Sequence, residues 1–184
     1  KGSMAAVLGM KAEDIENTIS SVDGVEIANY NCPGQIVITG KKEGVERAAE
    51  LLKENGAKRV IPLNVSGPFH SSMLKKAGQE LEKILENQEV SPLKIPYVTN
   101  VTGDFVHEER EIKSLLSRQI SSPVKWQQSV ENMILNGVDT FVEIGPGRML
   151  NGFIRKINRD VSVYSIQTVE DMEKVIQAVK EQSI

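Results

Sequence analysis

The spacing of apolar positions divides the chain into two parts with different rhythms. In the first part, short β-rich runs alternate with stretches whose apolar residues recur three and four positions apart, which is the helical period. Over residues 1–65 the resulting order is strand, helix, strand, strand, helix, strand. This order is typical of a ferredoxin-like, split βαβ fold.

The second part, residues 66–184, alternates helices with strands and predicts part of a parallel α/β sheet. Ser71 is predicted to cap a helix, and Pro123 to begin another. The stretch "TFVEI" (140–144) predicts a buried strand, and the following "GPGR" predicts a tight turn, because it lacks the ending of a phosphate-binding loop. The helix after Ser71 is expected to bury four apolar residues: Leu74, Ala77, Leu81 and Ile84.

Composition narrows the functional classes. The hydrophobic fraction of 40% and the charged fraction of 26% are those of an ordinary globular protein. A net charge of -3 gives no general attraction to nucleic acid or an anionic membrane, and no apolar run has the length of a membrane span. The single cysteine fits the reducing cytoplasm. Two histidines and one cysteine without ligand spacing predict no metal site.

His70, in "VIPLNVSGPFHSSML" (60–74), is the first candidate for chemistry. It precedes a predicted helix, whose positive end favours the neutral imidazole that a general base requires. The local sequence alone favours the alternative, a loop histidine satisfied by hydrogen bonds. A base of this kind serves a Ser, Cys or Thr nucleophile, yet the chain has no G-x-S-x-G elbow. Cys32 is interpreted as a small turn residue, because nothing beside it lowers its pKa.

Several stretches, in this order along the chain, resemble the malonyl-CoA:acyl carrier protein transacylases of fatty acid synthesis. They are "MAAVLG", "VEIANYNCPGQIVITG", "VSGPFHSSM", "YVTNVTG", "RQISSPVKWQQSV" and "VDTFVEIGPGRMLNG". The resemblance covers essentially the whole chain. It implies that residues 1–65 form a ferredoxin-like small subdomain. Residues 66–184 then correspond to the C-terminal part of an α/β-hydrolase-like acyltransferase subdomain.

The resemblance also assigns expected roles to individual residues. His70 in "GPFHS" matches the general base, which reverses the local interpretation, and Gln119 in "RQISSPV" matches the residue that orients its ring through a backbone carbonyl. Phe69 matches a bulky residue that should disfavour a methyl branch on the malonyl group. Asn31 is expected in a loop that borders the thioester channel. The implied substrates are malonyl-CoA and the phosphopantetheine thiol of acyl carrier protein, with no metal or redox cofactor.

The sequence departs from the family pattern in one respect. The family's G-x-S-x-G serine, malonate-binding arginine and oxyanion-hole glutamine all precede the region that corresponds to Lys1. We therefore expect an N-terminal portion of the same enzyme to supply them, and we expect this chain alone to be inactive. Two alternatives stay open: a fragment of a polyketide synthase acyltransferase domain, and a non-catalytic ferredoxin-like binding module.

Overall fold

The first part of the chain folds as six elements in the predicted order. A computed structural model describes residues 2–182. The elements are β1 (Gly2–Leu8), α1 (Ala12–Ile19), β2 (Val25–Cys32), β3 (Gln35–Lys41), α2 (Lys42–Glu54) and β4 (Arg59–Pro62). The strands form one antiparallel sheet in the order β2-β3-β1-β4.

Both faces of this sheet are covered. Helices α1 and α2 pack on one face, where Ile15, Leu52 and Ile38 are buried in the largest apolar cluster. On the opposite face Met4, Ala28 and Val37 form a second cluster. A strand covered on both sides needs a continuous apolar run, and β3 has one in "IVI" (36–38).

The second part of the chain begins with a 3-10 turn at Ser72–Leu74. The elements that follow are α3 (Lys75–Glu86), β5 (Val98–Thr99), β6 (Asp104–Phe105), α4 (Glu109–Gln119), α5 (Trp126–Leu135), β7 (Thr140–Ile144), α6 (Met149–Ile157), β8 (Ser162–Ile166) and α7 (Val169–Gln182). Strands β7 and β8 are parallel and are joined through α6, as the alternating pattern predicts. None of the helices within residues 2–182 has the length and apolar character needed to cross a membrane.

The predicted start of α5 at Pro123 is wrong. The helix begins at Trp126, because the preceding residues are extended and pair with β2. The Val124 N–H donates to the Ala28 carbonyl at 2.8 Å, and the Val124 carbonyl accepts from the Tyr30 N–H at 2.9 Å. These two hydrogen bonds outweigh the preference of proline for a first helical turn.

The predicted inward face of α3 is wrong at two of its four positions, whereas Leu74 and Leu81 are partly buried. Ala77 is exposed and Ile84 is 63% exposed, whereas the buried residue of this helix is Gly78. Ser71 does not cap the helix, because its hydroxyl donates to the Pro68 carbonyl at 2.7 Å. Helix α3 instead contacts α4 across Gly78, where the absence of a side chain allows close approach to the Ser117 carbonyl.

Strand β7 is not buried as predicted. Val142 is 38% exposed and Ile144 is 78% exposed. Within residues 2–182 this strand pairs with β8 and with no other strand. Its apolar side chains therefore have too few neighbours in this chain to be covered.

Two helical glycines provide a matched test of the α3–α4 contact. A methyl group at Gly78 would lie 2.8 Å from the Ser117 carbonyl oxygen, whereas one at Gly152 in α6 would meet no atom within 4 Å. Gly78→Ala should destabilise the protein by about 1 kcal/mol net, because overpacking of about 1–3 kcal/mol outweighs the gain in helix propensity. Gly152→Ala should stabilise it by about 0.5–1 kcal/mol.

The measurement is the urea concentration at which half of each variant is unfolded. The slope of the unfolding free energy against urea concentration should be unchanged. Equal midpoints would contradict a close helix contact at Gly78.

Candidate active site

His70 lies in a tight turn and has a left-handed backbone conformation. Its φ is 57°, and it is the one non-glycine residue within 2–182 with a positive φ. Such a conformation costs about 1–3 kcal/mol and persists where surrounding contacts hold it. On the C-terminal side, the fully buried Ser71 closes the turn through its hydrogen bond to the Pro68 carbonyl. Strain of this kind is concentrated at functional sites.

The His70 ring contacts the end of α4. Its Nδ1 lies 3.2 Å from the carbonyl oxygen of Gln119, the last residue of that helix. The final carbonyls of a helix have no partner within the helix, so this oxygen is available. A carbonyl only accepts, and Nδ1 must therefore carry the hydrogen. In the neutral ring, Nε2 is then left as the acceptor, which is the arrangement of a general base.

Phe69 lies beside His70 with its side chain 47% exposed. Its ring lies over Gly67, where a methyl group would come within 3.1 Å of the ring Cζ. The glycine therefore leaves room for the ring to fold back over the turn. An exposed aromatic side chain therefore stands next to the histidine in the chain.

The predicted loop position of Asn31 is wrong. Asn31 is the penultimate residue of β2 and is partly buried, because pairing between β2 and β3 continues as far as Cys32. None of the described hydrogen bonds joins it to His70 or Gln119. The structure thus joins His70 to Gln119 through a hydrogen bond and places Phe69 next to His70 in the chain, whereas no described hydrogen bond joins Asn31 to this pair.

Glu26 is a site residue that the sequence analysis missed. Its carboxylate accepts hydrogen bonds from the Ser72 N–H, at 3.1 and 3.3 Å to its two oxygens, and from the Ser72 hydroxyl. It lies on β2 and contacts a residue 46 positions away. No local motif indicates such a contact.

None of the three candidate nucleophiles Cys32, Ser71 and Ser72 has a described hydrogen bond to His70. Cys32 has no exposed surface. Burial raises the pKa of its thiol, and the positive charge of Lys156 offsets only part of this effect. Cys32 ends strand β2 rather than occupying the turn. The hydroxyls of Ser71 and Ser72 donate to other groups. The one hydrogen bond described for the His70 side chain within residues 2–182 is to the Gln119 carbonyl.

The "GPGR" stretch forms the predicted turn between β7 and α6. The Glu143 carboxylate accepts from the Leu150 N–H at 3.2 Å and from the Asn151 N–H at 2.9 Å. These are donors of the first helical turn that a phosphate would otherwise use. The carboxylate therefore excludes a phosphate at this helix end. Within the described range, no cluster of three acidic, histidine or cysteine side chains is placed to hold a metal ion.

Comparisons of this chain with known proteins agree on one family. The model of a family described as acyl transferase domain matches residues 1–180. The malonyl CoA-acyl carrier protein transacylase of Bacillus subtilis (strain 168) is 45% identical over 187 residues, covering 100% of this chain and 59% of the relative. That of Staphylococcus aureus (strain COL) is 47% identical over 176 residues, covering 94% of this chain and 57% of the relative. The chain thus spans less than two thirds of these curated relatives.

Solved structures agree in fold. The malonyl CoA-acyl carrier protein transacylase of Clostridium perfringens superposes with a TM-score of 0.94 at 42% identity, covering 99% of this chain and 58% of that one. A malonyl-transacylase in complex with a type II PKS acyl-carrier protein superposes with a TM-score of 0.93 at 35% identity, covering 96% of this chain and 58% of that one.

The burial of Cys32 predicts slow reaction with thiol reagents. An aromatic disulfide reagent should label it on the order of 100-fold more slowly in native buffer than in concentrated guanidinium chloride, because labelling requires local opening. Ser66→Cys provides the control, since position 66 is exposed and its thiol should react at once in the native protein. Rapid native labelling of Cys32 would restore it as a candidate nucleophile.

Proposed function

The chain belongs to the acyl transferase domain family, and from that premise we propose that it is the C-terminal portion of a malonyl-CoA:acyl carrier protein transacylase. The observation that carries the proposal is the hydrogen bond between His70 Nδ1 and the Gln119 carbonyl. It occurs in a chain 45% identical to a transacylase. The match over residues 1–180 favours this function over a binding module limited to the first part of the chain.

In the proposed reaction His70 transfers protons through Nε2. A serine outside this sequence gives its proton to Nε2 and attacks the malonyl thioester. The new C–O bond replaces the C–S bond, and the departing thiolate of coenzyme A takes the proton from the imidazolium.

In the second half-reaction Nε2 takes the proton of the phosphopantetheine thiol of acyl carrier protein. The thiolate attacks the acyl-serine, and the proton returns to the serine oxygen. This is general base and nucleophilic catalysis without a metal or redox cofactor.

Gln119 is proposed to orient the base. By accepting the hydrogen of Nδ1, its carbonyl keeps the proton-accepting lone pair on Nε2 throughout both half-reactions. The partial negative charge on this carbonyl oxygen also stabilises the imidazolium that forms in each half-reaction. Asn31 is retained as a proposed substrate contact on the family resemblance alone.

The remaining catalytic groups are proposed to lie outside these residues. The chain contains no G-x-S-x-G sequence, and it covers 59% of the Bacillus subtilis relative, which leaves about two fifths without a counterpart. We assign the serine, the malonate-binding arginine and the oxyanion glutamine to that N-terminal portion. The whole enzyme is proposed to act in the cytoplasm. Residues that act as a unit lose nearly all activity when separated, so this chain alone should be inactive.

The division into subdomains is part of the same proposal. The order β2-β3-β1-β4 with antiparallel neighbours supports a ferredoxin-like small subdomain over residues 1–65. The parallel β7–β8 pair supports assignment of residues 66–184 to the α/β-hydrolase-like large subdomain.

A chimera tests the function. The part of the Bacillus subtilis relative that this chain does not cover would be joined to the present chain. The chimera should gain the mass of one malonyl group from malonyl-CoA and pass it to acyl carrier protein. The 20.3 kDa chain alone should gain none. A malonyl adduct on the chain alone would contradict the assignment of the nucleophile to the other portion.

Replacement of His70 in the chimera should lower transfer by about 10²–10⁴-fold, the usual contribution of a general base. His70→Asn is the informative variant, because asparagine tolerates a positive φ but cannot act as the base. His107→Asn is the matched control, since it changes the second histidine at an exposed position. Equal activity of the two variants would remove His70 from the mechanism.

Phe69 should set the preference for unbranched malonyl. Phe69→Ala opens space beside the histidine and should raise relative transfer of methylmalonyl by about 10–200-fold, the value of one methyl group in a pocket. The measurement is the ratio of kcat/KM for the two thioesters. Phe105→Ala, on the short strand β6, serves as a control for loss of an aromatic residue. An unchanged ratio would contradict the role of Phe69.

A further inference from the structure

The turn that carries His70 is attached to strand β2 through a single carboxylate. Glu26 accepts hydrogen bonds from both the backbone N–H and the hydroxyl of Ser72, two residues beyond His70. Hydrogen bonds to an ionised acceptor are roughly twice as strong as neutral ones. Two donors of one residue therefore bind one partly buried carboxylate, which fixes both the position and the direction of the chain at Ser72.

The anchor lies directly after the strained residue. His70 has a φ of 57°, which a non-glycine residue adopts only where the chain is held on both sides. Before His70, Pro68 accepts the hydrogen bond of the Ser71 hydroxyl, and Gly2 contacts the Pro68 ring. After it, Ser72 is held by Glu26. The two attachments together confine the left-handed turn.

The same strand also determines where the ring's partner lies. Val124, five residues after Gln119, exchanges hydrogen bonds with Ala28 and Tyr30 of β2. Glu26 precedes Ala28 on that strand. Strand β2 therefore holds the backbone that carries the imidazole and, through Val124, the backbone that carries the carbonyl facing Nδ1. A distance of 3.2 Å between Nδ1 and the oxygen depends on both attachments.

We propose that Glu26 is a positioning residue for His70. Through Ser72 it holds the left-handed turn and thereby keeps Nδ1 on the Gln119 carbonyl and Nε2 free to accept a proton. The effect on the imidazole is a property of this chain, whereas the effect on rate rests on the proposed acyl transfer. The two are measured separately.

The first experiment reads the histidine tautomer by long-range ¹H–¹⁵N NMR of the chain itself. The chain has two histidines, so His107→Gln assigns the signals and His107 serves as an internal reference. In the wild type, His70 should be in the Nδ1–H form at a pH where the ring is neutral. Glu26→Ala should shift His70 towards the Nε2–H form and leave His107 unchanged.

Three variants separate positioning from folding. Asp23→Ala is the matched control, since it also removes a carboxylate, in the turn just before β2, one that pairs with Lys41 and not with Ser72. Glu26→Gln retains an acceptor and should restore the wild-type tautomer. Ser72→Ala removes the hydroxyl but keeps the N–H donor, so a smaller shift in the same direction is expected. It gives a second test if Glu26→Ala fails to fold.

The second experiment measures rate in the chimera. Glu26→Ala should lower kcat by about 10–100-fold at a nearly constant KM, because a misplaced base affects chemistry more than substrate binding. Glu26→Gln should recover most of kcat. An unchanged His70 tautomer in both Glu26→Ala and Ser72→Ala would overturn the proposal. A shifted tautomer in Glu26→Ala, together with a wild-type chimera that shows no transfer, would instead refute the acyl-transfer function and leave the positioning intact.

Discussion

The pairing of Val124 with β2 is the constraint on which the site depends. Two backbone hydrogen bonds, of 2.8 and 2.9 Å, attach the segment after α4 to a strand of the small sheet. The attached residue, Val124, lies five positions after Gln119, the last residue of α4. The same segment gives up a helical first turn at Pro123 to make this contact. His70 and Gln119 are 49 positions apart, and they meet because β2 holds the chain near each of them.

Three helix ends contact side chains in two different ways. At the start of α6, the Glu143 carboxylate accepts from two N–H groups of the first turn. At the start of α7, Asp171 accepts from the Gln167 and Thr168 N–H groups, which lowers the pKa of its carboxyl. The carbonyl at the end of α4 is instead directed at an imidazole. Capping satisfies the first two helix ends structurally, whereas the third is available for chemistry.

Local periodicity predicted the six elements of residues 1–65, because each has a complete apolar face that the same segment of chain buries. It failed for Ile84 and Ile144, whose apolar side chains have no covering partner within residues 2–182. The family resemblance predicted the contact of His70 with a Gln119 carbonyl, which periodicity cannot indicate. Neither approach identified Glu26, since its partner lies 46 positions away and no motif includes both residues. Long-range polar contacts of this kind depend on the tertiary structure.

The geometry of the proposed base does not require the nucleophile. Its tautomer follows from the Gln119 carbonyl, and its backbone is confined by the contacts of Pro68 and Glu26. All of these groups lie within the present chain, so the imidazole is oriented before any serine is supplied. Orientation in advance lowers the reorganisation that a proton transfer requires. Under the proposed function, this chain sets the direction of proton transfer, and the other portion supplies the serine O–H within reach of Nε2 together with the malonate-binding arginine and the oxyanion glutamine.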